Sequence, residues 1–140
     1  QPTHHQREAS RLSKREFDEW FQQIWNIPGA STQHHPAPFP LELATRLVRM
    51  FSFTGDTVLD PFTGSGTTMV AALRTRRNSI GVEIEPEYCR LAARYLKAEN
   101  TDLFAPARLI FEKATVGENV CVLAEERAIY SVRPARKRLE

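Results

Sequence analysis

The segment DPFTGSGTT, residues 60–68, carries the residue types of a ligand-binding loop. It follows a short apolar run and precedes a helix-forming run, so it links a predicted strand to a predicted helix. Gly64 and Gly66 have no Cβ atom, which lets the backbone approach a ligand closely and adopt positive φ. In doubly wound α/β folds, ligands bind beyond the carboxyl ends of the strands, where such a loop lies. The segment therefore predicts a site for a nucleotide or a nucleoside.

A carboxylate at the end of the following strand supports this prediction. Glu83 lies 17 residues after Gly66 (83 − 66), near the end of the run NSIGVEI. In nucleotide-binding folds, a carboxylate at the end of this strand often accepts hydrogen bonds from ribose hydroxyls. Glu83 is therefore predicted to bind a ribose.

Three kinds of ligand compete for this loop. A triphosphate-binding loop has a Lys directly after its second glycine, and none follows Gly66. A dinucleotide-binding loop has a third small residue where the large Met69 stands. An adenosine ligand without phosphates, such as S-adenosylmethionine, requires neither feature, and Asp60 could meet its ammonium while the hydroxyls of residues 67–68 meet its carboxylate. An unrelated glycine turn, with Asp60 as a helix cap, is the remaining alternative.

The pattern around the loop predicts the elements that position it. Strand, loop, helix, strand and helix follow one another between residues 57 and 100, which predicts a parallel sheet with right-handed crossovers. Upstream, helical spacing predicts a helix over residues 14–24, capped by Ser13 with Glu16 and with one apolar face made of Phe17, Trp20, Phe21 and Ile24. A second helix is predicted over residues 41–51, with a buried side made of Leu43, Leu47, Val48 and Phe51. The helix after the loop is predicted to bury Met69, Val70, Ala72 and Leu73. Downstream, residues 101–140 contain three candidate short strands, a turn at 117–119 and a basic end.

Length and composition limit the function classes. The chain has 140 residues, a net charge of +2 and 41% hydrophobic residues, which is typical of one soluble domain. No apolar run approaches the ~18 residues of a membrane span, so no membrane contact is predicted. The first residues lack a signal-peptide pattern and an initiating Met, which predicts a processed chain or an internal fragment. Cys89 and Cys121 lack metal-ligand spacing, so we predict a cytoplasmic protein with reduced thiols and no metal.

Several segments together resemble one known family. The loop at residues 60–68 resembles the cofactor loop of the amino-group DNA methyltransferases, which methylate adenine N6 or cytosine N4. Upstream, HPAPFP at 35–40 is similar to a family segment that packs over the methionine end of the cofactor, and WNIP at 25–28 is similar to the stretch before it. Downstream, the run from Gly81 to Tyr88 resembles the family's second strand and following helix. The resemblance covers about residues 13–98.

This resemblance implies a cofactor and a set of residues that bind it. The cofactor is S-adenosylmethionine. Glu83 is implied to bind the ribose hydroxyls, and His35, Phe39 and Pro40 are implied to cover the ligand from the upstream segment. The remaining implied cofactor-binding residues all belong to the glycine loop: Asp60, Phe62, Gly64, Ser65, Gly66, Thr67 and Thr68.

The resemblance also implies a fold and a domain organisation. The expected fold is the α/β, Rossmann-like fold of S-adenosylmethionine-dependent methyltransferases, of which this chain holds only the C-terminal cofactor-binding half, with an incomplete parallel sheet. This order corresponds to a permuted class in which the catalytic half precedes the cofactor half. Residues 1–12 are expected to be disordered or a linker, residues 13–100 to bind the cofactor, and residues 101–140 to form an extension that resembles nothing identified.

The catalytic motif of the family is missing from this sequence. Family members carry a Pro-Pro-aromatic run that stacks and orients a flipped base, and the 140 residues contain no Pro-Pro pair. We therefore predict no catalytic residue here and an inactive isolated chain, which would act on DNA through a complete enzyme. The missing half, or a partner subunit, would cover surfaces that are otherwise exposed. The alternatives are a non-catalytic binding module and a methyltransferase that acts on RNA or a small molecule.

Overall fold

The computed structural model of the chain describes residues 1–30, 39–100, 107–113 and 121–126. Within these ranges no helix is long and apolar enough to cross a membrane. The elements, in chain order, are α1 (His4–Ala9), α2 (Lys14–Trp20), α3 (Leu41–Phe51), β1 (Thr57–Asp60), α4 (Thr67–Arg74), β2 (Asn78–Glu83), α5 (Pro86–Glu99), β3 (Arg108–Lys113) and β4 (Cys121–Glu126).

The described strands form one mixed sheet in the order β1-β2-β4-β3. β1 and β2 are parallel, with Leu59 opposite Ile80, which confirms the orientation predicted from the strand–helix alternation. β4 pairs antiparallel with both β2 and β3. The antiparallel hairpin is possible because β3 and β4 follow each other closely, whereas the parallel pair needs α4 as its crossover. β1 lies at one edge of the sheet that these strands form.

Helices α4 and α5, with α3 packed on α4, lie against one face of the sheet. Met69 and Val70 of α4 pack with Ala92 and Leu96 of α5, and Leu109 of β3 packs against this cluster. A second cluster joins α3 to α4 and β1 through Ala44, Val48, Ala71 and Val58. Met69, Val70 and Ala72 of α4 are therefore buried, as the sequence predicts, whereas Leu73 is partly buried.

The opposite face of the sheet is open in the described part of the chain. Leu59 is 63% exposed and its neighbour Ile80 is 37% exposed. On α3, the residues predicted to be buried divide: Val48 is buried, whereas Leu47 and Phe51 are exposed beside β1. The prediction of burial for Leu47 and Phe51 is therefore wrong for this chain, since no described residue covers that side of α3.

The N-terminal segment contains structure that the sequence did not predict. Residues 1–12 are expected to be disordered or a linker, yet α1 forms there with a capping box between Thr3 and Gln6. Gln6 Nε2 also donates to the Thr54 carbonyl at 3.1 Å, and Thr54 N–H donates to Ser10 Oγ at 2.7 Å. The segment of α1 is thus held by Thr54, more than 40 positions further along the chain. No local pattern in the sequence predicts this contact.

α2 begins as predicted and ends early. Ser13 and Glu16 form the predicted capping box, but the helix stops at Trp20 rather than Ile24. The Trp25 indole N–H donates to the Trp20 carbonyl at 2.9 Å, which satisfies one of the carbonyls that the helix end leaves unpaired. Of the predicted apolar face, only Trp20 is buried, because Phe17 and Phe21 stack on each other at the surface.

Glu16 also joins α2 to α3 by an ion pair with Arg49. Arg49 Nη2 lies 3.2 Å from Glu16 Oε2, and a second contact joins Arg49 Nη1 to Glu16 Oε1. The hydrogen bond from Arg49 lowers the pKa of Glu16 from 4.5 to about 2, against a smaller opposing effect of burial. Because hydrogen bonds to charged groups are stronger than neutral ones, this pair helps to hold α2 against α3, together with the buried Trp20.

Arg77 joins the C-terminal ends of α3 and α4. Its guanidinium donates to the Ser52 carbonyl at 2.7 Å and to the Thr75 carbonyl at 2.6 Å, and both residues are helix C-caps. A third bond reaches Ser52 Oγ at 3.2 Å. Burial, and secondly the charge of Arg49, lower the pKa of Arg77. The negative ends of two helix dipoles offset the cost of burying this cation.

Stability should depend on pH through Glu16. Its folded-state pKa is depressed, so the ion pair contributes stability above about pH 4.5 and loses it as the pH falls toward 2. Glu16→Gln keeps the capping box, because Gln is also accepted at this position. As the pH falls from about 4.5 toward 2, the free energy of unfolding should decrease less in this variant than in the unaltered chain, measured by urea unfolding with circular dichroism. Glu19→Gln, on the same helix, serves as the control. An equal difference between Glu16→Gln and the unaltered chain at pH 6 and pH 2.5 would contradict the assignment.

Removing the Arg77 side chain should destabilise the fold. Arg77→Met removes three hydrogen bonds and leaves two helix-end carbonyls without their charged donor, so we expect a loss of about 2 kcal/mol or more in the free energy of unfolding. Arg94→Met, at an exposed position of α5, is the matched control and should change little. The free energy of unfolding of both variants is measured by urea titration. A loss in Arg77→Met alone supports its role in joining the two helix ends, whereas equal values would mean that Arg77 acts as a solvated arginine.

Candidate functional site

The glycine loop is fastened to the end of β2 by backbone contacts. Thr63 N–H donates to the Val82 carbonyl at 3.0 Å, and Gly66 N–H donates to the Thr63 carbonyl at 2.9 Å. Thr63 Oγ1 donates to the Asp60 carbonyl at 3.0 Å, and Thr63 is buried. Thr63 is thus the residue through which the loop is docked, although its sequence position alone did not distinguish it from its neighbours.

Glu83 lies where the sequence places it, at the end of β2 and beside the loop. Its Oε2 accepts the Gly64 N–H at 2.7 Å, and its Oε1 accepts the Glu85 N–H at 2.9 Å. The structure therefore brings Gly64 and Glu83 into direct contact. Glu85 takes another role, because its side chain caps α5.

Glycine is required in this loop and in the strand beneath it. Gly64 and Gly66 have φ of +54° and +86°, a region that other residues enter at a cost. A Cβ on Gly66 would lie 2.9 Å from the Cβ of Ala92 on α5, so this glycine serves packing as well as loop shape. A Cβ on Gly81 would lie 2.2 Å from Thr63 Oγ1 and 2.5 Å from Met69 Sδ. A glycine inside a strand is the available signal for such a close approach.

Asp60 orders the loop rather than capping α4. Its Oδ1 accepts the Phe62 N–H at 3.0 Å, a short turn within the loop. The N-cap of α4 is Gly66 in the left-handed conformation, and no side chain in the described part of the chain caps this helix. The alternative of Asp60 as a helix cap is therefore wrong, and the positive end of the α4 dipole opens beside the loop.

The hydroxyl side chains on either side of the second glycine, Gly66, point into different cavities. Thr68 shares a cavity of about 380 Å³ with Phe39, on the side of α4 that faces α3 and β1. Ser65 and Thr67 share a second cavity, of about 220 Å³, on the side that faces Tyr95 of α5. The structure thus brings Phe39 and Thr68 together and directs Ser65 and Thr67 elsewhere.

Three predicted site residues remain, and the structure describes two of them, Pro40 and Phe62. Pro40 is the N-cap of α3, next to Phe39. Phe62 is 87% exposed at the tip of the loop. His35 lies outside the described residues, as do the turn at 117–119 and the third candidate strand of the extension. No group of three His, Cys, Asp or Glu side chains within the described ranges could hold a metal ion.

A further cavity, of about 540 Å³, lies at the other end of the sheet. It is lined in part by Thr54 and by Arg76 and Arg77, which precede the amino ends of β1 and β2. Ligands of open α/β sheets bind at the carboxyl ends of the strands, where the loop and Glu83 lie. None of the predicted site residues that the structure describes lines this cavity, although Leu41 borders both it and the cavity that Ser65 and Thr67 share.

Comparison with known proteins identifies the family. Residues 1–94 match the profile of the N6/N4 DNA methylases, described as DNA methylase. The chain belongs to this DNA methylase family. The match includes α1 and α2, so the family's region begins upstream of residue 13, where the sequence placed its start. The predicted family is confirmed.

Relatives of this DNA methylase chain include type II methyltransferases. It is 55% identical over 85 residues to M.MjaI of Methanocaldococcus jannaschii, a match that covers 56% of this chain and 28% of the relative. It is 48% identical over 87 residues to M.BglI of Bacillus subtilis, a match that covers 61% of this chain and 25% of the relative. The chain thus spans about a quarter of the length of these curated relatives.

A solved structure confirms the fold class. TTHA0409 from Thermus thermophilus, crystallised in complex with S-adenosyl-L-methionine, aligns with 74% of this methylase chain at 54% identity and a TM-score of 0.66. The alignment covers 40% of the Thermus protein. The α/β, Rossmann-like methyltransferase fold predicted from the sequence is therefore the fold of this chain, in partial form.

Adding a side chain at Gly81 should displace the glycine loop of this methylase chain. Gly81→Ala forces Thr63 and Met69 apart, and overpacking of this kind typically costs about 1–3 kcal/mol. Gly29→Ala is the matched control, because a Cβ there meets no atom within 4 Å. Thermal unfolding of both variants gives the comparison, and equal melting temperatures would mean that Thr63 does not dock against β2 in solution.

Proposed function

We propose that this chain is the cofactor-binding half of a site-specific DNA methyltransferase. The reaction transfers the methyl group of S-adenosylmethionine to the exocyclic amine of adenine (N6) or cytosine (N4). The carbon–sulfur bond of the sulfonium breaks, a carbon–nitrogen bond forms, the amine loses a proton, and S-adenosylhomocysteine leaves. The observation that carries the proposal is the contact between Glu83 and the glycine loop. It brings together, at the carboxyl end of β2, a carboxylate and a stretch of backbone that a ligand can approach closely.

The site supports an adenosine ligand with an amino-acid end. Glu83 is proposed to accept hydrogen bonds from ribose hydroxyls, and the uncapped positive end of α4 favours a carboxylate nearby. Asp60 offers a negative charge to an ammonium. The 54% identity to a protein crystallised with S-adenosyl-L-methionine supports this choice among adenosine ligands. His35, Phe39 and Pro40 are proposed to cover the methionine end.

The acceptor base is proposed to be presented by residues outside this chain. The sequence has no Pro-Pro-aromatic run, which in the permuted class belongs to the half that comes first. The exposed Leu59, together with Leu47 and Phe51 beside the edge strand β1, supports a missing half that packs there. That half is provided by the same polypeptide or by a partner subunit, and the complete enzyme would act on DNA in the cytoplasm.

Cofactor binding and methyl transfer test the proposal directly. The chain combined with a half that carries the Pro-Pro-aromatic run should bind S-adenosylmethionine in calorimetry and transfer labelled methyl groups to DNA. Glu83→Ala should weaken binding about 10-fold or more, because hydrogen bonds to a charged acceptor are lost. Glu87→Ala, an exposed carboxylate in the first turn of α5, is the control.

The alternatives predict different results. A non-catalytic module predicts no binding of S-adenosylmethionine, and no effect of Glu83→Ala. A methyltransferase of RNA or of a small molecule predicts binding and transfer with no labelling of DNA. Either result would overturn the proposed substrate or the proposed cofactor.

A further inference from the structure

The carboxylate proposed to bind ribose already holds two backbone groups. Glu83 Oε2 accepts the N–H of Gly64 and Oε1 accepts the N–H of Glu85. An ionised carboxylate has about four lone-pair directions, two on each oxygen. Each oxygen of Glu83 therefore keeps one acceptor direction after these two bonds have formed.

These two bonds connect separate parts of the site. Gly64 lies in the loop after β1, and Glu85 is the N-cap of α5. Glu83 thus links the loop to the start of the next helix, with one bond to each. Hydrogen bonds to an ionised acceptor are roughly twice as strong as neutral ones, so the carboxylate is held in one orientation by backbone on both sides.

We infer that Glu83 is a positioning residue for the glycine loop, in addition to the ribose contact that the proposed function gives it. The ribose contact rests on the proposed function, whereas the hold on the loop does not. Glu83 would then affect binding of the whole ligand through the loop, beyond its contact with the ribose.

Amide hydrogen exchange in the ligand-free 140-residue chain tests the hold on the loop. In Glu83→Gln the amide nitrogen cannot accept, so at least one backbone bond is lost. Exchange at Gly64 or Glu85 should become about 10-fold faster or more. Exchange at Leu96, in the core of α5, should stay unchanged, which separates local release from global destabilisation. Glu87→Gln removes the same charge nearby and should leave Gly64 slow.

Two ligands test the role in binding. S-adenosylhomocysteine carries both ribose hydroxyls, and its 2′,3′-dideoxy analogue carries neither. If Glu83 also positions the loop, Glu83→Gln weakens the analogue several-fold in addition to weakening the parent ligand. If Glu83 acts on the ribose alone, the variant and the unaltered chain bind the analogue equally, and the inference is overturned.

The two arms separate failure of the inference from failure of the proposed function. The ligands are tested on the chain combined with a half that carries the Pro-Pro-aromatic run. Absence of binding of either ligand to that unaltered combination would count against the proposed cofactor, and the exchange arm then decides the role of Glu83. Unchanged exchange at both Gly64 and Glu85 in Glu83→Gln overturns the positioning role, whatever the ligands do.

Discussion

The described structure depends on how closely the loop after β1 approaches β2. Thr63 is buried against Gly81, and the strand can admit it only because residue 81 has no side chain. From that one contact follow the bond of Thr63 to Val82, the reach of Gly64 to Glu83 and the position of Gly66 against α5. The loop is therefore shaped by the sheet below it. Its glycines serve internal packing at least as much as they admit a ligand.

Sequence reasoning succeeded where local chemistry decides the structure. The βαβα order, the helix start at Ser13, the approximate strand ends and the position of Glu83 beside the loop all come from patterns within a few residues. It failed where distant contacts decide. α1 is held by Thr54, and the last carbonyl of α2 accepts the indole N–H of Trp25. The spacing of residues in the sequence predicts neither of these contacts. Thr63 was missed for the same reason, since its role depends on the absence of a side chain 18 positions later (81 − 63).

The sequence also did not predict that the apolar side chains of Leu47 and Phe51 on α3 would be exposed. Periodicity places Leu47 and Phe51 of α3 on an apolar side, and a helix with such a side is expected to bury it. In the described chain this side borders β1 and is open, as is the sheet face that carries Leu59. Periodicity therefore predicts which side of a helix is apolar. It does not predict whether the described chain covers that side.

The joint at Arg77 has a consequence for the order in which the chain can assemble. Its bonds to Ser52 and Thr75 span 25 and 2 residues, whereas the bonds that hold α1 to Thr54 span 44 to 48. Contacts between residues close in sequence require less loop closure and form with a smaller loss of chain entropy. The segment from α3 to β2 contains all the residues of the Arg77 joint, and none of them belongs to α1. We therefore expect this segment to form without the N-terminal helix, which can dock on a surface already in place.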